Sequence, residues 1–265
     1  MLSEDIIGTR SGQGAPQQKD NLCGPFHAAH ILRDAGVSEW EGEPLDQDLV
    51  AARAGTVLPV REEGPQVPPG AVSWRDYRYE LDLVEPAESG TGAGSLARAI
   101  EELSDDRLVC VPLSGAWSAD KLERLIDQAG ERGARLIANV RTGPLWGSRP
   151  PLQALLAMLE GREVPVPPAA DWDVGHFVEL VQLVRGRAGA LVLVRDSYPS
   201  LGWGGHHLQP PAAVASALMR GDGHGGGVLA VVAPGEASAI TKLARELELV
   251  VALWENGTVR GRYRR

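Results

Sequence analysis

Gln17-Gln18-Lys19-Asp20-Asn21-Leu22-Cys23-Gly24-Pro25-Phe26 is the stretch that decides how the chain reads. Behind it Ala28, Ala29, Ile31, Leu32 and Ala35 recur at helical spacing, and Gly36 supplies a stop, which predicts a helix from Cys23 to Ala35. A cysteine therefore opens a helix. A helix start carries partial positive charge and unpaired backbone N–H groups, and both favour the thiolate, the form of sulfur that attacks carbonyls. Gly24 permits a tight turn, and Pro25 suits the first turn, where no N–H is required. An isolated cysteine is more often a small buried residue. The amide side chains upstream and a histidine segment far downstream favour chemistry here.

That segment is Gly175-His176-Phe177-Val178-Glu179-Leu180. It follows the polar run Asp171-Trp172-Asp173-Val174 and opens an apolar strand, so His176 can project into a cleft while the strand fixes its backbone. The other histidines read differently. His27 and His30 point along the first helix and not back over its start, which makes them packing or rim residues. His206, His207 and His224 lie in a Gly-rich region with Asp222, but their spacing matches no strong metal-ligand motif, so neither a metal nor a cofactor is expected.

An imidazole acting on a thiol needs a partner that fixes its tautomer and ring angle. Arg185-Gly186-Arg187-Ala188-Gly189 joins two apolar runs as a hairpin, and Asp196 ends the second of them. Asp196 is thus brought near His176. Asp171 and Asp173 are rivals, held less firmly in a loop. Trp172 or Trp203 could screen the pair from water, and both are equally explicable as core aromatics. Acyl transfer through sulfur makes an oxyanion that a side-chain amide and a backbone N–H can hold. Gln17 and Gln18, six and five residues before Cys23, are both candidates; the longer spacing favours Gln17. Cys110, inside the apolar run Leu108-Val109-Cys110-Val111, reads as core.

On these residues the chain resembles the papain-like cysteine peptidases of the bacterial type, closest to the double-glycine leader peptidase group and its stand-alone relatives. In those proteins a Gln precedes Cys-Gly-Pro, a Gly-His-Phe-Val type strand carries the base, and a turn such as Asp196-Ser197-Tyr198-Pro199 carries the orienter. The resemblance implies a papain-like fold, with a Cys-bearing N-terminal helix packed on an antiparallel sheet. It also implies a Cys23–His176–Asp196 triad with Gln17 or Gln18 as oxyanion donor. Departures are visible. Leu22 stands before the cysteine where leader peptidases commonly have an acid, with Asp20 further back. The fused membrane transporter of that group has no counterpart, and the insert from Gly143 to Ala170 and the extension after Pro234 lie outside the pattern.

At 265 residues the chain can form one large domain or two modest lobes. With 43% hydrophobic and 23% charged residues it has a globular composition, and a net charge of −9 argues against nucleic acid or an anionic membrane as partner. The basic cluster Arg260, Arg262, Arg264, Arg265 reads as a solvated tail. Met1 to Arg10 carries acids and no apolar core, so no secretory segment is expected, and two cysteines give no disulfide framework; both fit a reducing cytoplasm.

Helices are further predicted over Leu45 to Ala54, Ser95 to Leu103, Lys121 to Gln128 with Ser118 as N-cap, Pro151 to Leu159, Pro210 to Met219 and Ala237 to Glu246. Strands are predicted over 108–112, 136–140, 176–183, 190–194 and 228–232. Asn256-Gly257, between Leu249 to Trp254 and Val259 to Tyr263, signals a closing hairpin. The sum is an α+β chain, helices first and antiparallel strands later. It divides into a catalytic unit over 1–234, with a helical lobe at about 17–130 and a sheet lobe at about 131–234, and a helix-plus-hairpin extension over 235–265 packed on the same core.

Three function classes compete. The first is a peptidase or other amide hydrolase acting on a peptide or acyl substrate. An acyltransferase or amide-forming enzyme shares its acyl-enzyme and differs only in the acceptor. A non-catalytic peptide-binding module on the same fold is the third, and the intact Cys, His and Asp argue against it. Oligomeric state is not legible.

Overall fold

A computed structural model describes residues 17–60, 67–164, 166–259 and 261. In chain order the elements are α1 (Cys23–Asp34), β1 (Glu39–Trp40), β2 (Glu43–Pro44), α2 (Gln47–Ala54), β3 (Val57–Pro59), β4 (Asp82–Val84) and α3 (Ala93–Leu103). Then follow β5 (Val109–Ser114), α4 (Ala119–Gly130), β6 (Arg135–Arg141), α5 (Leu152–Leu159), β7 (Gly175–Arg185), β8 (Ala190–Arg195) and β9 (His206–Gln209). The chain closes with α6 (Pro211–Met219), β10 (Gly227–Val232), α7 (Ala237–Glu246) and β11 (Val250–Val251).

Seven strands form one sheet in the order β11-β5-β10-β6-β7-β8-β9. Every neighbouring pair in it is antiparallel, so the fold is α+β. Strand alternation sorts its side chains between two cores. Leu136, Ala138 and Val140 of β6, Val178 and Leu180 of β7, and Val228, Ala230 and Val232 of β10 face one core with α4, α6 and α7. Ile137, Phe177, Leu229 and Val231 face the other, built from α1, α2 and α3. Because both faces are covered, the middle strands are apolar on both sides: β10 is buried at all its positions.

Local signals explain most element ends. Ser118 caps α4 by accepting from the Lys121 N–H at 3.3 Å, as the sequence predicts. Asp46 caps α2 by accepting from the Leu49 N–H at 2.9 Å. Gly36, at φ +83°, lets the chain leave α1.

The lobes divide differently from the sequence expectation. β5 lies inside the large sheet between β11 and β10, and Leu122, Leu125 and Ile126 of α4 pack in the sheet's own core. Residues 109–130 thus belong with the sheet and not with the helical side. On that same core sit Ile240, Leu243 and Ala244 of α7.

Among the described residues no hairpin forms at Asn256-Gly257; of the second expected strand only Val259 and Gly261 are described. Asn256 Nδ2 donates to the Thr91 carbonyl at 2.9 Å, the Val259 N–H to that of Glu88 at 3.2 Å, and the Gly261 N–H to that of Gly55 at 3.2 Å. Tertiary partners take the bonds that a hairpin would have made, and only β11 remains of the first expected strand. The segment Met1 to Arg10 and the cluster Arg260, Arg262, Arg264, Arg265 lie outside the described residues. No helix among the described residues is long and apolar enough to cross a membrane.

Candidate active site

The segment before α1 is tied down on all sides. The Lys19 N–H donates to Gln47 Oε1 at 2.8 Å, and Lys19 Nζ pairs with Asp48 at 2.7 Å, both side chains largely buried. Asp20 accepts from Arg75 Nε at 2.8 Å and the Trp74 N–H at 3.1 Å, while Tyr77 donates its hydroxyl to the Asp20 carbonyl at 2.9 Å. A loop over 73–77 thus clamps the approach to Cys23. Asn21 takes the left-handed conformation at φ 62°, which Asn tolerates, and turns the chain into the helix.

α1 lies against the sheet at its first turn. A Cβ on Gly24 would stand 3.1 Å from Leu96 Cδ2 and 3.2 Å from Phe177 Cδ2, so glycine lets the helix start lie this close to β7 without displacing either side chain. Phe177 immediately follows His176, so this contact sets the start of α1 beside the strand residue that bears the imidazole. Burial acts to raise the thiol pKa. A hydrogen bond from His176, the charge on that ring, and the Phe177 and Gly24 backbone groups outweigh it and hold Cys23 below its ordinary 9.0. Cys110 is the contrast: burial pushes its thiol well above the ordinary range, and Glu101 adds to the rise.

His176 Nε2 lies 3.2 Å from Asp196 Oδ1. That leaves Nδ1 as the ring nitrogen for the sulfur. Burial opposes charge on the ring, but Asp196 and then Cys23 overcome it and carry the His176 pKa up to about 10. Burial likewise raises Asp196, and His176 and His207 more than reverse this, holding the carboxyl well below the usual carboxylate range. Imidazolium and carboxylate stabilise one another, and the imidazolium favours the thiolate form of Cys23. Trp172 meets the His176 ring edge-on at 5.1 Å and Tyr198 stacks at 6.1 Å, so aromatic walls shield the pair. Of the two tryptophans considered, Trp172 does this; Trp203 is half exposed.

The rival acids are occupied elsewhere. Asp173 pairs with Arg141 and accepts from the Gly143 N–H at 3.1 Å, and Asp171 accepts from the Ser148 N–H at 2.7 Å. The glutamines also separate. Gln17 directs its amide to the Val72 carbonyl, whereas Gln18 is buried and accepts from the Ser197 hydroxyl. Ser197 Oγ is 3.5 Å from both His176 Nε2 and Asp196 Oδ1, so Gln18 is the glutamine that joins the cluster, against the spacing argument. The strap bends at Asn21 and Leu22, and a residue count does not capture that bend.

Several contributors carry no signal in the sequence. Asn139, inside the apolar strand β6, donates Nδ2 to the His176 carbonyl at 3.3 Å, and its Oδ1 accepts from Trp254 Nε1 and Arg220 Nη1, each at 3.2 Å. His207 is buried behind Asp196, with Nε2 at 3.9 Å from Oδ2. His30, half-buried, faces Arg195 at 3.2 Å. His27 is fully buried, and burial drives its pKa down to about 3, so it is neutral at physiological pH.

The arrangement can form a thiolate, hold a proton beside it and return that proton. No curated protein and no solved structure matches the chain. A family model does, over residues 9–255, and its description is a family of unknown function. The chain belongs to that family, DUF6885.

Proposed function

We propose that this protein is a cysteine-dependent acyl-transfer enzyme of papain-like design, most simply a peptidase or amide hydrolase. The observation that carries the reading is a helix-start thiol against a buried imidazole whose far nitrogen meets a buried carboxylate. Cys23 attacks the substrate carbonyl carbon, a C–S bond forms, and the carbonyl oxygen takes the negative charge. Gln18 Nε2 and the Cys23 backbone N–H, free of any intrahelical acceptor at the first helical position, are the donors for that oxyanion. As the C–N bond breaks, the imidazolium of His176 gives its proton to the departing nitrogen. Water, deprotonated by His176, then attacks the thioester, the C–S bond breaks and the thiolate returns. An amine in place of water gives the transferase outcome from the same acyl-enzyme.

Alkylation by iodoacetamide tests this reading without a known substrate. Cys23 should react rapidly at neutral pH and Cys110 should not, with sites assigned by peptide mass spectrometry. His176→Ala should slow Cys23 to the rate of an ordinary thiol. Equal, slow labelling of both cysteines would instead leave a binding module with an inert cleft.

A further inference from the structure

Asp196 has a second buried histidine behind it, on the side away from His176. His207 lies in β9 opposite Val194 of β8, the strand that Asp196 follows. It is 3% exposed, and its Nε2 is 3.9 Å from Asp196 Oδ2. Its other nitrogen, Nδ1, is 2.9 Å from Gln209 Nε2. The orientation of the Gln209 amide is fixed by one backbone residue: the Trp146 N–H donates to Oε1 at 2.8 Å, and Nε2 donates to the Trp146 carbonyl at 2.8 Å. An N–H must meet the amide oxygen, so the amide has no freedom to flip. Gln209 Nε2 is therefore a donor, His207 Nδ1 is an acceptor, and the proton of neutral His207 sits on Nε2, facing Asp196.

We propose that His207 is a positioning residue of this centre: its Nε2–H faces Asp196 Oδ2 at 3.9 Å, a dipolar contact longer than a hydrogen bond, which favours the carboxylate orientation that keeps Oδ1 turned to His176. The inference rests on the acyl-transfer reading and extends it to a chain from Cys23 through His176, Asp196, His207 and Gln209 to the backbone of Trp146. A carboxylate at a strand end can rotate about its terminal bond. Oδ1 is fixed by the Tyr198 N–H at 3.0 Å as well as by His176. On the Oδ2 side the His207 N–H, at 3.9 Å, supplies a weaker electrostatic preference for the same orientation. The tautomer makes this work, because a proton on Nδ1 would leave a lone pair facing a carboxylate. Other ionisable groups coupled to Asp196 or His176 are Cys23 and His27 from α1 and Tyr198, whose ring stacks on His176.

The test is the rate of Cys23 alkylation by iodoacetamide in the full chain near neutral pH, with melting temperature as the check on folding. His207→Leu should slow alkylation about tenfold, the scale of losing one partner of a charged group beside a functional histidine, and His207→Gln, which keeps an N–H at the same reach, should restore most of it. A folded His207→Leu that reacts like the parent, while His176→Ala is slow, overturns the role of His207 and leaves the acyl-transfer reading intact. Should His176→Ala also react like the parent, that reading fails and this inference with it. The histidine tautomer provides an arm that needs no variant: long-range nitrogen–proton NMR on the parent should show His207 protonated on Nε2, and protonation on Nδ1 overturns the proposal even if His207→Leu does not fold.

Discussion

His176 Nε2 and Asp196 Oδ1 stand 3.2 Å apart with each side chain 3% exposed, so the pair is closed off from water on the side away from the sulfur. Each partner's charge is maintained by the other, and removing one leaves a buried charge without its counterpart. Asp196→Asn is expected to keep the fold and lose the His176 imidazolium. Alkylation of Cys23 should then slow by about 10² or more, since the thiolate forfeits its ion-pair partner. Parental reactivity of Asp196→Asn near neutral pH would contradict this.

Proton bookkeeping gives a second expectation. His176 has a folded pKa of about 10 against an ordinary 6.5, so its stabilising contribution is complete below 6.5 and is lost as pH climbs through about 10. Cys23 is lowered from 9.0, so its contribution is present above 9.0 and is lost as pH falls through the folded value. Between the folded Cys23 value and 9.0 the two slopes oppose each other. Cys23→Ser removes one of the two. Stability of that variant should fall relative to the parent as pH rises towards 9, by at most about 1.4 kcal/mol per pH unit. Parallel denaturant midpoints across that range would refute the ion pair.

The two glutamines are separable by kinetics. Gln18→Ala should reduce the acylation burst from p-nitrophenyl acetate by about 10², the usual loss of one oxyanion donor, and Gln17→Ala should change it little. The reverse ranking would return the role to Gln17.

Gly24 controls the distance between sulfur and imidazole. Gly24→Ala places a methyl 3.1 Å from Leu96 and 3.2 Å from Phe177, tight contacts with flexible side-chain ends. We expect a loss of about 1 kcal/mol from overpacking, together with slower Cys23 alkylation as α1 shifts from β7. Unchanged reactivity in a destabilised variant would show that helix placement and thiol activation are independent.

Glu179, 1% exposed, sits between Arg135 and Arg195, and Arg135 reaches on to Asp34 at the end of α1. Glu179→Ala should cost about 3 kcal/mol, because two guanidinium groups lose their buried counter-charge. Urea unfolding would measure it, and a loss below the error of the midpoint would show that solvent replaces the pair.

The parts of the site that are readable in the sequence lie where local pattern changes: Cys23 at a helix start, His176 at a strand start, Asp196 at a strand end. Periodicity marks such boundaries, and chemistry placed on them stands out. His207 does not stand out because glycines around it mask the short strand β9, and Asn139 because it sits in an apolar run. Gln18 rather than Gln17 joins the cluster through its backbone and side-chain bonds to Ser197, 179 residues away in sequence, which spacing to Cys23 cannot reveal. β5 is legible as a strand, but nothing local says which lobe it joins. Around Asn256-Gly257 the described residues Asn256, Val259 and Gly261 bond instead to Thr91, Glu88 and Gly55, long-range partners that no local pattern announces.

The bond from Trp254 to Asn139, and from Asn139 to the His176 backbone, ties the order of synthesis to competence. The sulfur leaves the ribosome long before its base, and the indole that braces the strand of that base follows later still. A half-made chain therefore carries a cysteine with no partner to ionise it. On the proposed reading, activation of the thiol would therefore await the closing of both lobes on each other.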